Sequence, residues 1–322
     1  LNYDGATGWL VGEENNGLAA MFVMMNAARL GVGMQGLAQA EVAYQNAVTY
    51  ALDRRQGRAL TGPAEPEQKA DAIFVHPDVR RMLMDAKVFN EGLRALCLWG
   101  ALQVDLTHKA QTEEERQLAD DLIGLMTPVI KGYGTDKGYD IANNMQQVYG
   151  GHGYVKEWGM EQFVRDSRIA MIYEGTNGVQ AMDLCGRKLA SKGGRAVQAF
   201  FAAIDEEIAT AKQQALGEQK AATMLYMQNA MATPNHLGAG AHHYMHIMGI
   251  VTLGFMWLKQ AKVAAAALEG SPEDAAFYEA KLTSAAYYAE RFLPDAGALR
   301  RKLEAGSENM MKLPEEAFAT AA

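Results

Sequence analysis

Ile172-Tyr173-Glu174-Gly175-Thr176-Asn177-Gly178 sets one carboxylate at the end of a short apolar run and follows it at once with a glycine-flanked turn. Met171, Ile172 and Tyr173 would strip water from that carboxylate, which suits a general base. Gly175-Thr176-Asn177-Gly178 reads as a turn, with Thr176 or Asn177 the N-cap of a helix carrying Val179 to Leu189. Backbone N–H groups at a helix start can hold an oxyanion or a phosphate, so a base and an oxyanion site would lie side by side. The same residues also describe a surface turn that contains a glutamate. Just upstream, Tyr149-Gly150-Gly151-His152-Gly153-Tyr154 forms a second glycine-rich turn.

Around these turns the pattern is helical. Phe22, Met25, Arg29, Val32, Gly36, Gln39, Ala43 and Asn46 recur at spacings of three and four with no proline, which predicts one helix from Gly17 to about Arg54. Glycines and prolines then mark 56–77 as a long surface loop. Asp78 is the expected N-cap of a helix from Val79 to about Thr107. Thr112 and Glu115 stand at capping-box spacing and open a third helix through about Lys131. A fourth is expected from about Thr135 to Val148 and a fifth from Val179 to Leu189. Long helices with short connections describe a bundle. Ser191-Lys192-Gly193-Gly194 marks a boundary, and helical patterns follow at about 195–216, 218–231, 236–269, 272–292 and 295–304.

The expected fold is all-α: an up-and-down helical bundle over 16–190, an additional helical domain with its own core over 191–322, and one residual N-terminal strand near Trp9 within 1–15. The 322 residues carry 30 Lys+Arg against 38 Asp+Glu, a net charge of −8, and nucleic acid is not the expected partner because phosphate binding needs a basic face. The region from 191 onward, with 12 basic and 14 acidic residues, is itself slightly acidic. Cys97 and Cys185 form no spacing motif and are expected as buried free thiols, which fits a reducing, cytoplasmic setting. No uninterrupted apolar run approaches the roughly 18 residues of a membrane span. His242 and His246 stand at i and i+4, a two-His metal spacing, but no third ligand lies within a turn, so no metal is expected.

Tyr173-Glu174-Gly175-Thr176, preceded by Arg165-Asp166 and by Gln147-Val148-Tyr149-Gly150-Gly151-His152-Gly153, resembles the C-terminal signature of the acyl-CoA dehydrogenases. Ala28-Arg29-Leu30-Gly31-Val32-Gly33, Gly36-Leu37-Ala38-Gln39-Ala40 and Tyr50-Ala51-Leu52-Asp53-Arg54-Arg55 resemble the first long helix of that family's C-terminal bundle. The ordered blocks cover roughly 5 to 190; the remainder is similar to a long branch of the family. The resemblance makes Thr7 to Val11 the last strand of a preceding β-domain. On that reading the chain is the C-terminal part of a longer enzyme and would be inactive alone.

What the resemblance implies is α,β-dehydrogenation of an acyl-CoA thioester with FAD, with Glu174 as catalytic base. The Glu174 backbone N–H and a flavin ribityl hydroxyl would hold the enolate oxygen. Arg54 matches the arginine that meets the FAD pyrophosphate across a subunit interface. Gln147, Gly150 and Gly151 match the segment cradling the neighbouring subunit's FAD, and Thr176 matches a contact to FAD within its own subunit. Arg29 matches a position near the CoA nucleotide, although Asn26 replaces the family's usual Asp. Tyr173 would flank the thioester. Two departures stand out: Arg55-Gln56-Gly57-Arg58 lacks the Phe that usually stacks near the adenine, with Arg58 a candidate to compensate, and Gly178 replaces a common Gln. The implied partners are an acyl-CoA substrate, an electron-transferring flavoprotein and a second copy of the chain in a dimer. An acyl-CoA oxidase using oxygen, and a relative with a DNA-binding or structural role, are the alternatives.

Overall fold

The computed structural model describes residues 2–207, 214–229 and 234–312. Those parts of the expected helices that fall on 208–213 and 230–231 lie outside the described residues. Among the described residues the α-helices are α1 (Gly17–Asp53), α2 (Pro77–Lys109), α3 (Glu113–Val148), α4 (Gly151–Tyr154), α5 (Met160–Ile172), α6 (Asn177–Asp183), α7 (Arg195–Glu207), α8 (Gln214–Asn229), α9 (Pro234–Glu269), α10 (Ala275–Arg291), α11 (Asp295–Glu304) and α12 (Glu308–Lys312). The fold is all-α, as expected. The expected strand near Trp9 is not formed: residues 6–11 pair with no other strand, Trp9 is 83% exposed, and the β pairing among the described residues is one isolated bridge, Arg55 to Ala72. A strand without a neighbour leaves its backbone groups to water, so nothing holds it extended.

Helix α3 is the axis on which α1, α2 and α5 pack. Its N-terminus forms as the sequence predicts, with Thr112 Oγ1 accepting from Glu115 N–H (3.2 Å) and Glu115 accepting from Thr112 N–H (3.0 Å). The break expected near 132–134 does not occur; α3 runs unbroken through Pro128, Gly132 and Gly134. These glycines serve packing instead. A Cβ on Gly132 would stand 2.4 Å from Met245 Sδ of α9, so the bare backbone is what admits that side chain. The capping assignment on α2 is also corrected: Pro77 at the first position, where no N–H is needed, starts the helix two residues earlier, with His76 as N-cap and Asp78 in the first turn. Helix α5 was absent from the expected list, although Met160, Phe163, Val164, Ser167 and Ala170 follow helical spacing.

The α1–α3 crossing is close enough to exclude side chains. A Cβ on Gly36 would meet Gly134 O at 2.8 Å, one on Gly138 would meet Gly36 O at 2.5 Å, and one on Gly33 would meet Ile130 O at 2.8 Å. Ala40, Ala43, Ala47 and Ala51 continue the buried stripe along α1. By length and composition alone α1 is apolar enough to cross a membrane. Its packed face accounts for part of that character; Leu18, Met21, Phe22, Val23 and Met24 in its first turns stay exposed.

The Ser191–Gly194 link, with Lys192, Gly193 and Gly194 all at positive φ, turns the chain into α7. Helix α9 is apolar around most of its circumference and is accordingly buried, packed by α8, α10 and α11 and against α2, α3 and α6. Trp257 Nε1–H donates to Val88 O (2.9 Å), stitching α9 to α2. The two expected cores are therefore one, running from Leu37, Leu93 and Val129 to Phe200, Tyr244 and Leu303. Cys185 is buried and free, its thiol pushed up by burial, while Cys97 is free and half-buried, pushed up to about 11 by burial.

The 56–77 loop is organised around Asp71, which is fully enclosed. Its carboxylate accepts from the backbone N–H of Ala59 (2.9 Å), Glu65 (2.9 Å) and Ala64 (3.1 Å) and from Arg58 (3.1 Å). Arg58 also donates to Glu65 O and Gln68 O. Its guanidinium is committed to the loop, which corrects the expectation that it compensates at the cofactor.

Two outcomes follow from this packing. Gly138→Ala should cost about 1–3 kcal/mol in denaturant unfolding, as overpacking does. Gly124→Ala, where a Cβ meets nothing within 4 Å, should be neutral or stabilising by about 1 kcal/mol. Equal effects would contradict the close crossing. The Asp71 carboxyl is held well below the usual carboxylate range, first by the Ala59 N–H and then by the Glu65 N–H. Its stabilisation is thus complete above the ordinary Asp value of about 4 and is lost as pH falls below it. Thermal melts of Asp71→Asn should lack that part of the acid dependence.

Candidate active site

Helix α5 ends because Tyr173 turns extended (φ −88°, ψ 175°), and the chain then takes two left-handed residues, Glu174 (φ 58°) and Gly175 (φ 82°). Gly175 is required twice over, by its φ and because a Cβ would stand 2.8 Å from Gln180 Nε2. Glu174 has no such freedom; a left-handed non-glycine residue costs on the order of 1–3 kcal/mol and persists only where its surroundings over-determine it. Thr176 then caps α6, its Oγ1 accepting from Val179 N–H (3.3 Å).

The surroundings are two buried cations and an amide. Arg29, 5% exposed, donates from Nε to Glu174 O (3.3 Å). Gln180 Nε2 donates to Glu174 O (3.2 Å) and Gly175 O (3.3 Å). Lys131, with no exposed surface, donates from Nζ to Gly175 O (2.9 Å) and Asn177 Oδ1 (2.7 Å). Burial pushes Lys131 down to about 8, against the pull of Asp136. Asn177 Nδ2 in turn donates to Asp136 Oδ1 (2.6 Å), Thr135 Oγ1 (2.9 Å) and Gly132 O (3.1 Å). Both carbonyls of the turn thus point into the bundle. The other groups of Glu174 are left over: its Oε2 is closed off from solvent with no hydrogen-bond partner, and its backbone N–H has no acceptor among the described residues.

The sequence-derived residues fall into two groups. Glu174, Tyr173, Thr176 and Arg29 lie together. Tyr173 is half-buried and its hydroxyl donates to Gln35 of α1. Thr176 is exposed at the start of α6. Arg29, expected near a nucleotide, lies beneath the turn, with Asn26 Oδ1 at 3.3 Å and Asp183 at 4.0 Å as its further partners. The second group is at the far end of α1. Tyr50 stacks on Tyr149 (3.9 Å between centroids), its hydroxyl lies 2.9 Å from His152 Nδ1, and Tyr149 OH donates to Asn46 O (3.1 Å). Arg54 follows one turn later, exposed and with no side-chain partner among the described residues. Gln147, Gly150 and Gly151 are exposed in the segment that packs on this end of α1 through Tyr149 and His152; Gly150 is left-handed (φ 57°), and a Cβ on either glycine would meet nothing within 4 Å. An unpaired guanidinium and bare glycine backbone at one end of a helix suit an anionic group such as a pyrophosphate. Arg29 and Tyr50 are 21 residues apart on one helix, which puts the two groups roughly 30 Å apart within the chain.

Residues 15–189 match the sequence profile described as "Acyl-CoA dehydrogenase, C-terminal domain", and 194–314 match "Acetyl-CoA dehydrogenase C-terminal like". The chain is 38% identical to the 3-methylmercaptopropionyl-CoA dehydrogenase of Ruegeria pomeroyi over 97% of its length and 54% of the relative's. It is 33% identical to the broad-specificity linear acyl-CoA dehydrogenase FadE5 of Mycobacterium tuberculosis, over 97% of this chain and 55% of the relative. The chain thus spans about half the length of the curated relatives it matches. Among solved structures it shares the fold of an acyl-CoA dehydrogenase from Bacillus anthracis complexed with FAD, at TM-score 0.70 and 17% identity, covering 97% of this chain and 55% of that one.

Lys131 and Asn177 are the residues that sequence reading missed; a lone lysine in a helical run reads as solvated, and only burial distinguishes it. Lys131→Met should remove the shortest donor to Gly175 O and to Asn177 Oδ1, leaving each only a 3.3 Å contact, from Gln180 and Thr135, and cost about 1–3 kcal/mol. Between pH about 8 and about 10.4 the unfolded chain binds this proton and the folded chain does not, so wild-type stability gains with rising pH there. The variant should lose that gain. An identical alkaline profile would show that Lys131 is not buried as a cation.

Proposed function

This chain belongs to the acyl-CoA dehydrogenase family, and from that premise we propose that it supplies the catalytic base and half of the cofactor contacts for α,β-dehydrogenation of an acyl-CoA thioester. The observation that carries this reading is the division of labour within Glu174. Its carbonyl is held inward by Arg29 and Gln180, while its carboxylate oxygen Oε2 and its backbone N–H have no protein partner.

The chemistry needs a base at the α-carbon and a donor at the thioester oxygen as negative charge develops there. Glu174 offers both from one residue: the carboxylate takes the α-proton and the N–H holds the enolate oxygen. Arg29 and Lys131 keep the turn from relaxing, so the donor is in place before reaction. Tyr173, one residue earlier, closes the side of the turn facing Gln35 and flanks the thioester. FAD, when bound, would supply the hydride acceptor for the β-carbon. Arg54, Gln147, Gly150 and Gly151 would hold the FAD of a second copy and Thr176 that of its own, which is how residues roughly 30 Å apart in one chain serve one reaction. The assembly is therefore a homo-oligomer, a dimer at least. Electrons pass on to an electron-transferring flavoprotein; the dehydrogenase names of the relatives reported above support this over an oxidase.

Glu174→Gln keeps shape and removes the proton acceptor. With acyl-CoA and an artificial electron acceptor, the full-length FAD-loaded enzyme carrying this change should bind substrate normally and lose about 10²–10⁴-fold in kcat. Near-normal bleaching of the flavin by substrate would refute the assignment of Glu174.

A further inference from the structure

The two histidines set aside for want of a third ligand find one in the folded chain. His242 and His246 lie one turn apart on α9, with ring centroids 4.2 Å apart, and Asp136 of α3 faces both. His246 Nε2 is 2.9 Å from Asp136 Oδ2 and His242 Nδ1 is 4.0 Å from the same oxygen. The three ligand atoms lie within 4.8 Å of one another. We propose that Asp136, His242 and His246 form a binding site for a divalent transition-metal ion of the zinc type, which clamps α9 onto α3.

Four-coordinate zinc with bonds near 2.0–2.2 Å sets its ligand atoms roughly 3.3 Å apart. The observed 2.9 and 4.0 Å bracket that spacing, and the two imidazole nitrogens, within 4.8 Å of each other, need close by no more than about 1.5 Å to reach it. The carboxylate is oriented from behind: Asn177 Nδ2 holds Oδ1 at 2.6 Å and leaves Oδ2 toward the imidazoles. His246 is fixed edge-on against the Tyr133 ring, 5.2 Å between centroids. Such outer contacts are what set ligand geometry in zinc sites. An ordinary Asp–His pair would account for His246 but not for His242, which makes no hydrogen bond among the described residues and stands 4.0 Å from the same carboxylate. The side chain of His242 is 52% exposed, which gives the ion a path in and leaves room for a water as fourth ligand. Two imidazoles and one carboxylate favour zinc over magnesium or calcium, which prefer oxygen donors throughout. Because Asn177 also belongs to the Lys131 network under Glu174, the clamp would tie the C-terminal helices to the turn.

Calorimetric titration of the chelator-treated protein with Zn²⁺ should show one site per chain. His242→Ala, a partly exposed position whose loss should not unfold the chain, should weaken binding by at least about tenfold, the lower end of what losing even a hydrogen-bond partner of a ligand costs, and His242→Ala/His246→Ala should abolish it. Co²⁺ in place of Zn²⁺ should give the strong visible absorption of a four-coordinate ion, lost in the same variants. Absence of a one-to-one site, binding undiminished in the double variant, or Co²⁺ bound with only the weak spectrum of the hydrated ion would each overturn the proposal. All three readouts are independent of dehydrogenase activity.

Discussion

The backbone contact between α1 and α3 is the constraint from which the site follows. Gly33 and Gly36 on one helix and Gly134 and Gly138 on the other let main chains meet where any Cβ would stand 2.5–2.8 Å from a carbonyl oxygen, Gly134 apart. Helices held by larger side chains lie 8–10 Å apart. At the closer spacing, Arg29 from α1 and Lys131 from α3 both reach the carbonyls of one tight turn. Neither cation has far to reach because the seam lies within a turn or two of both. Packing at four glycines is thereby converted into electrostatics at Glu174.

Those electrostatics oppose a local penalty. A glutamate at φ 58° would relax toward an ordinary helical or extended conformation if its carbonyl were free. Arg29, Gln180 and Lys131 hold that carbonyl and its neighbour, and Asn177 locks Lys131 to Asp136 and Thr135. The result is a turn whose carbonyls are satisfied and whose remaining groups, an enclosed carboxylate oxygen and an N–H, are not. A preorganised donor does not have to be reoriented when charge develops, which is why such rigidity matters to chemistry.

Much of this was legible in the sequence, and the failures have physical reasons. The Thr112–Glu115 capping box and the Thr176 cap are local, and local hydrogen bonds are written in adjacent residues. Gly132 and Gly134 read as a break because glycine weakens a helix taken alone; in the fold Gly132 admits Met245 and Gly134 lies against Leu93 of α2, interactions no window of α3 contains. The strand at Trp9 has the composition of a strand, but strands exist only by pairing. Arg58 has the charge for a cofactor, yet the enclosed Asp71 a few residues on claims it. Lys131 and Asp136 were invisible for the same reason as the seam: their partners lie 41 to 110 residues away. The residues at the site's surface were readable by resemblance; of those that position them, Arg29 was named but for another role, and Lys131, Gln180 and Asp136 were not named as site residues.

The central claim is that the two ends of α1 serve two different cofactors, so that a complete site is built from two copies of the chain. Complementation in mixed assemblies tests it most directly. Subunits carrying Arg54→Ala and subunits carrying Glu174→Gln would be prepared separately, shown to be weakly active as homo-oligomers, then dissociated, mixed and reassembled. In a mixed dimer one site receives both changes and the other receives neither, so activity should reappear, approaching half that of wild type per mixed dimer. If both residues belonged to a site within one chain, each site of every mixed assembly would carry one defect, and activity that never exceeds the average of the two parents would contradict the account.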